Sequence, residues 1–201
     1  MTVQLTGIRV FLASPNGLQS EREYFKRIVW EFNEKKAIPA NIVFVPVMFE
    51  QIPGGAEQAQ KRINRRIEDC DYCVTMFWND LGSRPEGDSP EGSVSVTDGE
   101  YRKALKLIED GSMKEVVILC KDIPQFQMDD PGEKLIKFLE YKKELQKTCS
   151  YEKFKNNEEL TELIEKLFYG WLLNVTDIAK EQRPPVGVMD YDDPSSIAGG
   201  S

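Results

Sequence analysis

Tyr72-Cys73-Val74-Thr75-Met76-Phe77-Trp78 is apolar at nearly every position, with no polar alternation. A run of this length and character reads as a strand buried on both faces, the mark of a parallel sheet covered by helices. Around it the pattern alternates. Ile8 to Ala13 reads as an earlier buried strand, broken by Ser14-Pro15-Asn16-Gly17. Ser20 with Glu23 reads as a capping box opening a helix to about Asn33, with Phe25, Ile28, Val29 and Phe32 at helical spacing. Asn41 to Val47 is a second strand, and a helix runs from about Glu57 to Glu68.

After Trp78 comes a loop, Asn79 to Val96, with three glycines and two prolines. Strand-to-helix connections usually take about 2–6 residues, and loops this long are often functional. A helix then begins near Thr97, with Tyr101, Ala104, Leu105 and Ile108 on one face and Gly111 at its end. Val116 to Cys120 is a fourth strand, and Asp130-Pro131 is expected to start a helix to about Lys147. Ser150 to Lys155 reads as a short fifth strand, and Glu158 to about Lys180 as a closing amphipathic helix.

The expected fold is therefore α/β, a parallel sheet of four to five strands with helices on both faces, and fold precedent makes its expected strand order flavodoxin-like. Residues 1–181 form the domain, and 182–201, rich in Pro, Asp, Gly and Ser, read as a linker or tail leading toward a further domain.

Composition narrows the chemistry. The chain of 201 residues has no histidine and a net charge of −8, with 40% apolar and 30% charged residues. Histidine-based triads and histidine-ligated zinc are excluded, so catalysis must rest on carboxylates, hydroxyls, Lys, Arg or Tyr. The acidic balance argues against nucleic-acid binding. The basic cluster Lys61, Arg62, Arg65 and Arg66 sits beside Glu57, Glu68 and Asp69 and reads as a solvated helix face. Cys70-x-x-Cys73 has a redox or half-zinc spacing, but Cys73 belongs to an apolar strand and buried thiols are the expectation; no metal site is expected. With no membrane-length apolar run and no signal-peptide pattern at Met1 to Gln4, the expected location is cytoplasmic.

In open parallel sheets ligands bind beyond the carboxyl ends of the strands, where strand order reverses. In a flavodoxin-like order that point lies between the first and third strands. Ser14, Asn16, Trp78, Asn79, Arg84 and Glu100 should then border one crevice. Glu100 has two readings from the sequence. Thr97-x-x-Glu100 is a capping-box spacing, and a carboxylate beside such a crevice can also stabilise a sugar cation.

Phe11-Leu12-Ala13-Ser14, with Leu18-Gln19-Ser20-Glu21-Arg22, resembles the opening signature of a TIR-like domain family of unknown function found at the N-termini of STAND-type NTPases and prokaryotic defence proteins. Ile67-Glu68-Asp69-Cys70-Asp71 and Glu100-Tyr101-Arg102-Lys103-Ala104 fit the same family and its wider TIR and nucleoside deoxyribosyltransferase superfamily. The resemblance implies that Glu100 acts on the N-glycosidic bond of NAD or a related nucleotide, an NAD glycohydrolase activity in antiviral defence signalling. The Ser14 turn, Asn16, Trp78, Asn79 and Arg84 would bind the nucleotide, which is substrate rather than cofactor. The same resemblance leaves two other roles open. One is a non-catalytic module that self-associates or serves a C-terminal sensor or NTPase domain; the other is a nucleotide sensor.

Overall fold

The computed structural model describes residues 4–48, 59–84 and 90–181. Among them, β1 (Thr6–Ala13), β2 (Ile42–Met48), β3 (Tyr72–Phe77), β4 (Glu115–Lys121) and β5 (Glu152–Phe154) form one parallel sheet in the order β2-β1-β3-β4-β5. This is the flavodoxin-like order, and it places the switch point between β1 and β3. All six residues of β3 are buried. That follows from its central place: both faces are covered and both edges are paired.

Two layers of helix cover the sheet. On one face α1 (Gln19–Phe32) and α6 (Asn157–Glu181) pack over Val10, Leu12, Val74 and Met76. Phe168 of α6 sits at the centre of that layer, edge-on to Phe25, Phe32 and Phe44 at 6.0, 5.8 and 4.7 Å. Trp171 stacks on Tyr72 at 4.1 Å, and its Nε1 donates to Glu115 at 2.7 Å. On the other face α2 (Ala59–Glu68) and α3 (Val96–Glu109) meet Phe11, Ala13 and Cys73 through Ile63, Ile67, Ala104 and Leu107. Further along, α5 (Glu133–Thr148) sets Leu135, Phe138 and Leu145 against Phe77, Ile118 and Cys120.

Several local expectations are corrected. No side chain caps α1: a 3-10 turn, Asn16–Leu18, runs straight into it, and Ser20 bonds Glu21 instead of acting as a cap. Proline at 131 does not open α5. The helix starts one residue beyond Gly132, and a short α4 (Gln125–Asp129) precedes it. Residue 57, the expected start of α2, lies outside the described residues. Asp71 anchors the turn before β3. Its Oδ2 accepts from the Arg9 amide at 2.9 Å, and its backbone amide donates to the Arg9 carbonyl at 2.9 Å.

The helix after β1 also runs past its expected end near Asn33, through a π-helical segment, Asn33–Ala37. That segment aims Asn33 at the exposed side of edge strand β2. Its amide donates to the Phe44 carbonyl and its Oδ1 accepts from the Phe44 amide, both at 2.8 Å. Asn33→Ala strands two buried backbone groups, each costing about 1–3 kcal/mol when left unpaired. The expected loss is about 2 kcal/mol, read as a lower urea midpoint with unchanged slope; an unchanged midpoint would show that water replaces the amide.

Candidate functional site

The site is built where the turns after β1 and β3 meet. Gly82 has φ +84° and lies so close to the first turn that a Cβ added there would stand 3.1 Å from Pro15 Cβ and 3.8 Å from Thr97 Oγ1. Only glycine meets both conditions without strain. This contact joins the post-β1 turn, the post-β3 loop and the first turn of α3. Gly17 lies beside the indole of Trp78, with 3.6 Å, an ordinary contact distance, from an added Cβ to Cε3.

Buried Arg22 holds the first turn in place. Its guanidinium donates to the Pro15 carbonyl at 2.8 Å, to Ser14 Oγ at 3.3 Å and to Gln19 Oε1. Its neighbour Glu21 works across the sheet instead. Glu21 Oε1 accepts from Lys121 Nζ at 2.5 Å, and that ammonium also lies 4.4 Å over the Trp78 ring. Of the two, only Glu21 reaches a distant element; the partners of Arg22 lie within the turn and helix start beside it.

The Glu21 carboxyl stands below its usual value. Burial pushes it up, but the bonds from Lys121 and Ser20 outweigh burial. A carboxyl lowered by folding contributes stability that is present above its ordinary 4.5 and lost as pH falls through the lower folded value. Lys121→Met should cost about 2 kcal/mol at neutral pH by leaving that buried carboxylate without its cation. The gap to wild type should shrink as the carboxyl takes up a proton below about pH 4. Urea melts across that range check this; a gap independent of pH would mean that lost packing, not charge, sets the cost.

Glu100 is buried, 4% exposed, on the stripe of α3 that also carries Ala104 and Leu107. It is close enough to Cys73 for its charge to add to the effect of burial, which raises that thiol. The capping role belongs elsewhere. Ser95 is the N-cap, its Oγ accepting from the Asp98 amide at 3.1 Å. Glu100 therefore sits in the second turn, too far along to reach the cap. The sequence spacing pointed to Thr97 and Glu100; the true pair is Ser95 and Asp98, two residues earlier.

Asp98, 1% exposed, is held from three sides. Its Oδ2 accepts from the Val94 amide and from Arg102 Nε, both at 2.8 Å, and its Oδ1 from Tyr141 Oη at 2.7 Å. It ties the end of the long loop to α3 and α5. Sequence reading missed it, although Ser95-x-x-Asp98 is a capping-box spacing with aspartate in place of the usual glutamate or glutamine.

The other sequence candidates spread along the strand ends. Half-buried Ser14 is bound to Arg22, and Asn16 is exposed at the start of the 3-10 turn. Trp78 leans to the α1 and α6 side, its Nε1 donating to the Asp122 carbonyl at 3.3 Å. Asn79 donates to Gln127 of α4 at 2.9 Å, and exposed Arg84 lies near enough to Glu133 of α5 to help lower its carboxyl. The turn that carries Ser14 and Asn16 thus meets Trp78 through Gly17. Glu100 lies on the opposite face of the sheet from Trp78, and Asn79 and Arg84 turn toward α4 and α5. The Cys70 and Cys73 thiols are free and buried; burial pushes Cys70 up to about 12, far from a reactive thiolate.

The model of a family described as "Domain of unknown function (DUF4062)" matches residues 9–168. The chain belongs to that family. No curated protein matches it. Among solved structures, this DUF4062 chain is similar to the CMP N-glycosidase BcmB of Clostridium botulinum, at 15% identity and a TM-score of 0.40, over 78% of this chain and 98% of that one. It is also similar to the TIR domains of the activated Roq1 resistosome directly recognizing the pathogen effector XopQ, at 15% identity and a TM-score of 0.41, over 85% and 84% of the two chains. The fold assignment rests on the strand order itself. Among the described residues no helix is long and apolar enough to cross a membrane.

Proposed function

We propose that this chain is a nucleotide N-glycosidase acting on NAD or a related nucleotide, with Glu100 as the carboxylate that faces the developing sugar cation. The observation that carries the reading is a buried carboxylate just beyond the switch-point loops that is not its helix's cap. In NAD the C1′–N bond would break with its electron pair passing to the nicotinamide, which leaves neutral. The ribosyl carbon becomes oxocarbenium-like, water adds to it, and a proton is released. A fixed carboxylate lowers that barrier because it is oriented before the charge appears. With 4% exposure, bulk water screens Glu100 little, so its field is stronger than that of a surface glutamate.

The resemblance stated from sequence supplies the reaction class and its setting, prokaryotic antiviral defence signalling, in which the domain would self-associate or serve a C-terminal sensor or NTPase domain. Chromatography of concentrated protein incubated with NAD, and separately with CMP as a pyrimidine nucleotide, tests the reading. Release of nicotinamide or cytosine supports it and names the substrate class. Intact nucleotide after prolonged incubation, including conditions in which light scattering shows association, would overturn it.

A further inference from the structure

We propose that the groove between α3 and α5 is a binding site for a small planar organic anion, on the flank of α3 opposite Glu100. The groove encloses about 900 Å³, the size of a small-ligand pocket. One wall is the α3 stripe Asp98, Tyr101, Arg102 and Leu105; the facing wall is the α5 stripe through Lys137 and Tyr141. Leu81 and Val94, from the two ends of the long post-β3 loop, close its upper rim. Glu100, Ala104 and Leu107 project from the other side of α3 toward the sheet, so this groove is separate from the glycosidase site and does not depend on that reading.

The chemistry of the walls selects the ligand. Arg102 is 40% exposed, and among the described residues its side chain is bonded through Nε, which donates to buried Asp98 at 2.8 Å. The two Nη groups remain as a fork, and a fork of this kind pairs two-to-two with a carboxylate or a phosphate. Because Asp98 is itself fixed by the Val94 amide and Tyr141, the fork is oriented before any ligand arrives. Burial and the Asp98 charge keep the Tyr141 hydroxyl protonated, so it donates to Asp98 and offers no competing anion. The remaining acids do not fill the fork's role: Glu144 is paired with Lys147 at 2.7 Å, and Glu140 is exposed on α5. Beside the fork, Val94 and Leu105 are 47% and 37% exposed, an apolar surface that a flat ring would cover. A ligand with an aromatic body and an oxyanion head meets both features at once. By gripping Leu81 and Val94, it would also brace the loop whose Gly82 touches Pro15.

Titration of the isotopically labelled chain with 1-naphthoate and with 1-naphthyl phosphate, followed by backbone amide shifts, tests this. Saturable shifts confined to the groove are expected for at least one probe, and the preferred head identifies the anion as carboxylate or phosphate. Arg102→Lys keeps a cation for Asp98 but removes the fork, and should weaken binding about tenfold or more. Leu105→Asp, on the rim and already partly exposed, should weaken it by a similar factor with the fold unchanged. No saturable shift with either probe would overturn the proposal. So would equal affinity in wild type and both folded variants, or shifts centred away from α3 and α5.

Discussion

Glu100→Gln is expected to lower nucleotide turnover by about a thousandfold while the protein stays folded. The amide keeps the shape of the side chain while removing its negative charge and turning one acceptor oxygen into a donor. A factor of a thousand corresponds to about 4 kcal/mol of transition-state stabilisation, a reasonable share for one carboxylate facing a full developing positive charge. Stability should change by less than about 1 kcal/mol, because a neutral amide is easier to bury than a carboxylate. Turnover measured beside circular dichroism and a urea melt separates the two effects. Full turnover in a folded Glu100→Gln protein removes Glu100 from the chemistry. Equal loss of turnover and of fold makes it a structural residue of the α3 layer beside Cys73.

Asp98→Ala should cause the largest loss of stability, about 3 kcal/mol. The substitution removes one carboxylate and leaves the Val94 amide, the Tyr141 hydroxyl and the Arg102 guanidinium without their acceptor. Breaking a buried pair costs about 3–5 kcal/mol; the lower figure applies here because Arg102 is 40% exposed and water can take up part of its charge. Ser95 still caps the helix, so α3 should persist while the loop end and α5 loosen. Asp98→Asn should cost less, since its carbonyl can accept from Tyr141 or Val94. A double-mutant cycle with Tyr141→Phe should show coupling above about 1 kcal/mol. Additive losses, or an Asp98→Ala penalty under about 1 kcal/mol, would mean that the three donors find other partners.

Much of the architecture was legible along the chain. The runs at Val10 to Ala13 and Tyr72 to Phe77 are buried throughout, as the strands of a covered parallel sheet are. The positions of α3 and α6 followed from their apolar spacing. Helix starts were less legible, because a serine or proline signals a cap only if the backbone turns there. Ser20 already lies within α1, which the 3-10 turn Asn16–Leu18 leads into, and at Gly132 the chain is still extended. The two readings of Glu100 came from one spacing, and that spacing could not show that Ser95 lies in extended backbone while Thr97 is already within the helix.

By itself the sequence determined the order of elements, the burial of the central strands and the exclusion of histidine chemistry. These depend on local periodicity and composition, which each segment carries within itself. The tertiary structure alone decided which side chains face one another. Glu21 finds Lys121 from 100 residues away, Asp98 finds Tyr141 from 43, and Trp78 and Glu100 fall on opposite faces of the same sheet. The physical reason is that a side chain's face and its distant partner are set by the twist and packing of whole layers. No short stretch of sequence records those.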